Sequence, residues 1–222
     1  MDRGRPQAVT SAYPPLNLAV RTPRITLAAA TDEMLERLVP VVRAGVLVDG
    51  EPLPFDDPMS LYAESPHREW NWMRRIWSGR SRVTDDFWRL YFVICDDGEP
   101  VGMQDLIAVD FPALGRITSF SWLAPPARGR GIGTESRAAI LHLAFAGFGA
   151  REAGSDAFAD NHASNRVSEA LGYTRNGTDW ATRRGEPAEL IRWRLTRDAW
   201  AARRRTDITL SGVEECKPVL GL

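Results

Sequence analysis

One run of residues in this chain has the types and spacing to hold phosphates: Arg128-Gly129-Arg130-Gly131-Ile132-Gly133-Thr134. Alternating glycines let backbone N–H groups turn inward with no Cβ in the way. Such N–H groups, set ahead of a helix N-terminus, attract anions. Arg128 and Arg130 add mobile positive charge. The ligand this suits is a pyrophosphate, or several phosphates on a small molecule. A Walker loop needs a lysine before its Ser or Thr, and none is present. A dinucleotide fingerprint needs Gly-x-Gly-x-x-Gly, normally after the first strand of an alternating α/β domain. Here the spacing is Gly-x-Gly-x-Gly, past the middle of the chain.

The loop must be positioned by what flanks it. Arg116 to Leu123 is β-branched and aromatic and predicts a strand. Glu135 to Phe148 is rich in Ala and Leu and predicts a helix. Downstream, Glu152 to Asp160 reads as another strand, and Asn161 can cap a short helix that Gly172 ends. Ser164 and Ser168 are four apart and share one face of that helix; Val167 and Leu171 share the adjacent face and are expected to bury it.

Elsewhere, strands are expected at Arg24 to Ala29, Trp88 to Cys95, Pro100 to Val109, Tyr173 to Gly177 and Ala188 to Leu195. A helix from Thr31 or Asp32 to Arg43 meets Pro40, which should end or kink it. Gly45 to Ser60, with Pro52, Pro54 and Pro58, reads as a stiff loop. In the helix from Pro66 to Trp77, Trp70, Met73 and Trp77 recur at helical spacing. Core packing is the expectation for them, an aromatic wall of a substrate pocket the alternative. Residues 1–22 read as a loose arm, 23–202 as the domain and 203–222 as a tail.

The 222 residues carry 44% hydrophobic and 26% charged residues and a net charge of -1, an ordinary globular composition. That balance gives no general attraction to nucleic acid or to an anionic membrane. Cys95 and Cys216 are too few for a disulfide scaffold, and a reduced, cytoplasmic setting is expected.

Arg128, Gly131 and Gly133 fill the pattern Arg/Gln-x-x-Gly-x-Gly/Ala, which resembles the acyl-CoA loop of the GNAT N-acetyltransferase superfamily. The segment Asn161-His162-Ala163-Ser164, running on to Leu171-Gly172-Tyr173, is most similar to the RimJ/RimL branch. From Arg24 through the tail the chain resembles an actinobacterial group that includes a mycobacterial succinyltransferase. The resemblance implies an α/β (α+β) fold. Its sheet would be mixed and mostly antiparallel, with about seven strands flanked by helices, and splayed between the fourth and fifth strands.

It also implies an acyl-CoA-dependent N-acyltransferase. Acetyl-CoA or succinyl-CoA would be the co-substrate, a protein amine or small amine the acceptor, with no metal. The expected donor set is Trp122, Leu123, Arg128, Gly129, Arg130, Gly131, Ile132, Gly133, Thr134, Asn161 and Ser164. The splayed strand would pair with pantetheine, and the Leu123 N–H would meet the oxyanion. One position departs from the pattern: many relatives carry a tyrosine acid seven residues past the Asn, and here Ser168 stands there. Its hydroxyl would hydrogen-bond the departing sulfur. Among bases, Asp49, Glu51, Asp105 and Glu135 are candidates, as are His67, His142 and His162. A homodimer or higher homo-oligomer is expected, with no nucleic-acid or membrane partner. The competing function is a non-catalytic acyl-CoA-binding or regulatory module on the same scaffold.

Overall fold

The structure is a computed structural model that describes residues 11–56 and 61–222. Residues 1–10 of the expected arm, and 57–60 of the proline loop with Pro58, lie outside the described residues. The strands are β1 (Ala19–Arg21), β2 (Ile25–Ala29), β3 (Phe87–Asp96), β4 (Glu99–Val109), β5 (Arg116–Thr118), β6 (Ser121–Leu123), β7 (Glu152–Phe158), β8 (Thr174–Arg183), β9 (Glu186–Thr196) and β10 (Thr209–Ser211). The helices are α1 (Asp32–Ala44), α2 (His67–Arg80), α3 (Phe111–Leu114), α4 (Ile132–His142), α5 (His162–Ala170), α6 (Arg197–Ala201) and α7 (Val213–Cys216).

The strands form one open sheet in the order β10-β1-β2-β3-β4-β5-β7-β9-β8, with β6 paired to β4 off that path. Every pairing is antiparallel except β5 with β7. The mixed, mostly antiparallel sheet is the one expected, with ten strands in place of about seven. The excess has two sources: the predicted strand 116–123 breaks into β5 and β6, and β1 and β10 extend one edge.

Period-2 alternation in β3 feeds two cores. Trp88, Leu90, Phe92 and Ile94 pack with α4, while Tyr91, Val93 and Cys95 pack with α1 and α2 on the other face. Both faces of the sheet are therefore covered at β3, and the glycine loop sits at the head of the helix that covers one of them. In α1 the Thr31 side chain accepts the Met34 N–H, and Leu35, Leu38 and Val42 face the core. Pro40 does not end it, because a proline's fixed φ is helical and the cost falls on one lost N–H.

Two expectations fail. Trp70 and Trp77 are 55% and 44% exposed; the buried face of α2 is Glu69, Trp72 and Ile76. Nor does the tail lie outside the domain: β10 pairs with β1, and Ile208, Val213, Cys216 and Leu220 are buried in the larger core. The chain turns at Gly212 (φ 75°) so close to the Asn17 carbonyl that a Cβ would approach its oxygen to 2.6 Å. Among the described residues no helix is long and apolar enough to cross a membrane.

The buried tail generates a prediction. The Cys216 thiol is fully buried and its pKa is pushed up to about 12. Cys216→Ser replaces a weakly polar group with an unpaired hydroxyl, so the melting temperature should fall by about 3–8 °C. Truncation after Asp207 should abolish the cooperative thermal transition. An unchanged melting curve in both would show the tail to be an appendage.

Candidate functional site

The site begins where two strands stop pairing. β5 pairs with β7 from Arg116↔Glu152 to Thr118↔Gly154. Beyond Ser119 and Phe120, β6 pairs only with β4. On the β4 side, the Asp105 N–H donates to the Phe120 carbonyl, and the Ala124 N–H donates to the Val101 carbonyl, both at 2.9 Å. In an antiparallel ladder the intervening residues turn the other way. Ser121 and Leu123 therefore aim their N–H and C=O groups into a wedge bounded opposite by the Ser155–Phe158 end of β7.

The break is held from both faces of the sheet. From the α1–α2 side, buried Asp105 accepts the Phe120 N–H at 2.6 Å on one oxygen and the Arg89 Nε–H at 2.6 Å on the other. Burial raises its pKa, and Arg89 and the Phe120 N–H oppose that rise. From the α4 side, buried Arg137 donates to Ser155 Oγ at 2.9 Å and reaches Ser121 Oγ at 3.5 Å.

At the head of the wedge stands the anion loop. Gly129 and Gly131 have φ of 72° and 82°, the left-handed region that favours glycine, and a Cβ at either would meet only open space. Gly131 caps α4 with no side-chain bond, so the helix presents its first N–H groups without a capping side chain. The Arg130 guanidinium is exposed and pairs with Asp96 at 2.9 Å, while Arg24 holds the Arg130 carbonyl at 2.7 Å.

Across the mouth runs the loop after α1. Arg128 donates from Nε to the Leu123 carbonyl at 3.2 Å, from Nη1 to Glu51 at 3.3 Å, and from Nη2 to the Val46 carbonyl. On the other side Asn161 donates from Nδ2 to the Pro54 carbonyl at 3.2 Å, and Arg183 reaches the Leu53 carbonyl at 3.4 Å. Leu123 ends β6 and Asn161 follows β7, so residues 46–54 form a strap from one lip of the wedge to the other. Next along the strap, Phe55 stacks on Tyr62 and meets Phe120 edge-on at the strand break.

The acetyltransferase (GNAT) domain profile matches residues 25–174. The chain belongs to the GNAT acetyltransferase family. Its fold is also that of several solved structures. Mycobacterium smegmatis RimJ in complex with CoA-disulfide is 20% identical, with a TM-score of 0.68 over 85% of this chain and 96% of that one. RimL, a ribosomal L7/L12 α-N-protein acetyltransferase in complex with coenzyme A, is 18% identical, with a TM-score of 0.63 over 80% and 97%. A GCN5-related N-acetyltransferase from Brucella melitensis is 18% identical, with a TM-score of 0.63 over 83% and 80%.

The expected donor residues of this GNAT chain come together around the wedge. Leu123, Arg128 and the loop from Gly129 to Thr134 line one lip; Asn161 and Ser164 stand at the other. Arg128 and Asn161 also have partners that the sequence did not reveal, in the strap. The Asn161 Oδ1 accepts the Ser164 N–H at 3.1 Å, so it caps α5 as well. Trp122 and Ile132 are buried, on opposite faces. Ser168 is fully buried, and its Oγ has no hydrogen-bond partner among the described residues. The most deeply buried residues of α5 are Asn165 and Ser168; Val167 and Leu171 are partly buried, and Leu171 packs against the larger core.

Of the candidate bases, Asp105 holds the strand break, Glu51 pairs with Arg128, and Glu135 accepts Thr22 Oγ1–H at 2.6 Å. His142 is buried against Trp200, whereas His67 and His162 are exposed. Sequence reasoning missed Arg137, Ser121 and Ser155. A signal was present in Arg137, a lone cation in an Ala- and Leu-rich helix face.

If Arg128 ties down the strap, Arg128→Ala should raise amide exchange across residues 46–54 by about tenfold, the loss of one or two net hydrogen bonds. Exchange in α4 should stay as it was. Equal protection of the strap in mutant and parent would refute the contact.

Proposed function

We propose that this protein transfers an acyl group from acyl-CoA to a primary amine, by direct attack in a ternary complex. One observation carries the reading: a row of outward-facing backbone groups on β6 leads to an uncapped helix N-terminus behind two left-handed glycines. In this role the N–H groups of Gly129 to Thr134 and the Arg130 side chain hold the phosphates. Pantetheine adds to β6 as a strand would, along Ser121 and Leu123. Asn161 and Ser164 meet its amides from the far lip, with Asn161 exchanging its strap contact.

The neutral amine attacks the thioester carbonyl, forming the C–N bond, and its surplus proton leaves through water to solvent. The Leu123 N–H stabilises the oxyanion, and the C–S bond breaks to release CoA thiolate. Ser168, with an unengaged hydroxyl, hydrogen-bonds that sulfur; a serine is too weak an acid to protonate it fully. Acetyl-CoA is the first donor, and succinyl-CoA the second, on the strength of the sequence resemblance. A protein α-amine is the first acceptor class, by likeness to the RimL fold.

The test is calorimetry with CoA, followed by acyl transfer from acetyl- and succinyl-CoA to peptide N-termini and small amines. CoA binding with turnover on an amine is expected, and no binding would overturn the reading. A higher kcat/KM for acetyl-CoA than for succinyl-CoA would assign the donor. Ser168→Ala should lower kcat by roughly tenfold to a hundredfold with little change in donor affinity. Unchanged kcat, CoA binding and melting temperature would leave Ser168 as packing only.

A further inference from the structure

We propose that Arg137 is a positioning residue that sets the width of the wedge between β6 and β7. The proposal rests on the reading of that wedge as the pantetheine channel. Arg137 lies on the sheet-facing side of α4 and is 5% exposed. Its two terminal nitrogens reach hydroxyls on the two strands that have parted: Ser155 on β7 at 2.9 Å and Ser121 on β6 at 3.5 Å. The last paired residues are Thr118 and Gly154. The guanidinium therefore bridges the wedge just past its closed end. The strand separation there is fixed by a rigid planar group rather than by a ladder of backbone bonds.

The chemistry of the side chain fits a spacer better than a core filler. No carboxylate among the described residues forms an ion pair with Arg137, and its Nε–H has no hydrogen-bond partner there. A buried cation so placed costs stability that an aliphatic side chain of similar length would avoid. What the guanidinium adds is a planar fork whose donors hold a fixed distance from each other, so one side chain engages both strands at once. The Tyr173 hydroxyl, from the chain just after α5, lies in the field of the same charge: burial raises its pKa and Arg137 opposes that. Asp105 feels the Arg137 charge from the opposite face of the sheet. The pin thus sits between α4, the two serines and the start of β8, and moving any of them moves the channel wall.

Ser121 is two residues before Leu123, on the same edge of β6. A change of wedge width at Ser121 therefore carries directly to the backbone groups offered to pantetheine, but not to the anion loop beyond Arg128. That difference makes the test. CoA and 3′-phosphoadenosine 5′-diphosphate, which is the nucleotide half without pantetheine, would be titrated into the parent, Arg137→Met and Arg137→Lys. In Arg137→Met, CoA affinity should fall by about tenfold, the size of one or two hydrogen bonds, while the nucleotide half binds within about twofold of the parent. Arg137→Lys, with one donor centre in place of a fork, should recover part of the loss.

Should Arg137→Met fail to fold, Ser121→Ala, Ser155→Ala and the double variant carry the same readout. Each single change should shift the ratio of the two affinities, and the double should shift it no further, because the bridge needs both ends. If the parent binds both ligands and every variant leaves that ratio unchanged, Arg137 is packing and the proposal falls alone. If the parent binds the nucleotide half but gains nothing from pantetheine, the channel reading itself falls, and the proposal with it.

Discussion

The site depends on one strand ceasing to pair with its neighbour. β5 and β7 make three residue pairs and then part, although the residues that follow, Ser121-Trp122-Leu123, are good strand formers. On the β4 side of the break stands the Asp105 carboxylate. It takes the Phe120 N–H, so the β4 ladder is interrupted at Phe120 and resumes, in the same register, as β6. A buried carboxylate is tolerable only when its oxygens are engaged, and Arg89 engages the second. Gln104 braces the same point by donating to the Phe120 carbonyl at 3.1 Å. Arg137 works from the opposite face. The wedge is thus a built feature with polar clamps above and below it, and its edge of backbone groups without a strand partner is the cost of keeping it open.

The mouth and head of the wedge are coupled through one side chain. Arg128 stands in the anion loop, yet its guanidinium holds the Val46 carbonyl, Glu51 and the Leu123 carbonyl. A phosphate that drew Arg128 away would leave the near end of the strap held by the burial of Val46 and the far end by Asn161 and Arg183. The loop's backbone N–H groups and Arg130 carry no such second duty toward the strap. Under the proposed reading, anion binding that draws on Arg128 is linked to strap release, and each favours the other by the same free energy.

What was legible in the sequence is local. The strand, glycine loop and helix around Arg128, the Asn161 cap and the turn at Gly172 each lie within a few residues of their cause. The strand break was not legible, because the residues that brace it, Asp105 and Arg137, lie 15 and 16 positions from Phe120 and Ser121. The strap contacts span 77 to 130 positions. Helical spacing showed that Trp70 and Trp77 share a face, but spacing does not say which face the sheet covers. The tail was legible only in part: Ile208 to Leu210 reads as a brief β-like run, but so short a strand does not say that β1 is its partner.

The orientation of α5 shows how a polar residue can outrank an apolar pair. Asn165 donates to the Phe158 carbonyl at 3.0 Å and accepts the Trp193 Nε1–H at 2.9 Å, so its amide ties α5 to β7 and β9 inside the core. A buried polar group satisfied on both ends stabilises one rotation of the helix and penalises the others, since any other rotation strands the indole and the carbonyl. Val167 and Leu171 are left partly buried beside that face, with Leu171 packed against the larger core, and turning them fully inward would break both bonds. Ser168, one turn after Asn165 on the same face, is carried inside with it. Its burial is thus a consequence of Asn165, and its hydroxyl arrives without a partner of its own. An unsatisfied buried hydroxyl is costly to keep. A sulfur placed within its reach would relieve that cost, which ties the rotation of α5 to the chemistry proposed for the wedge.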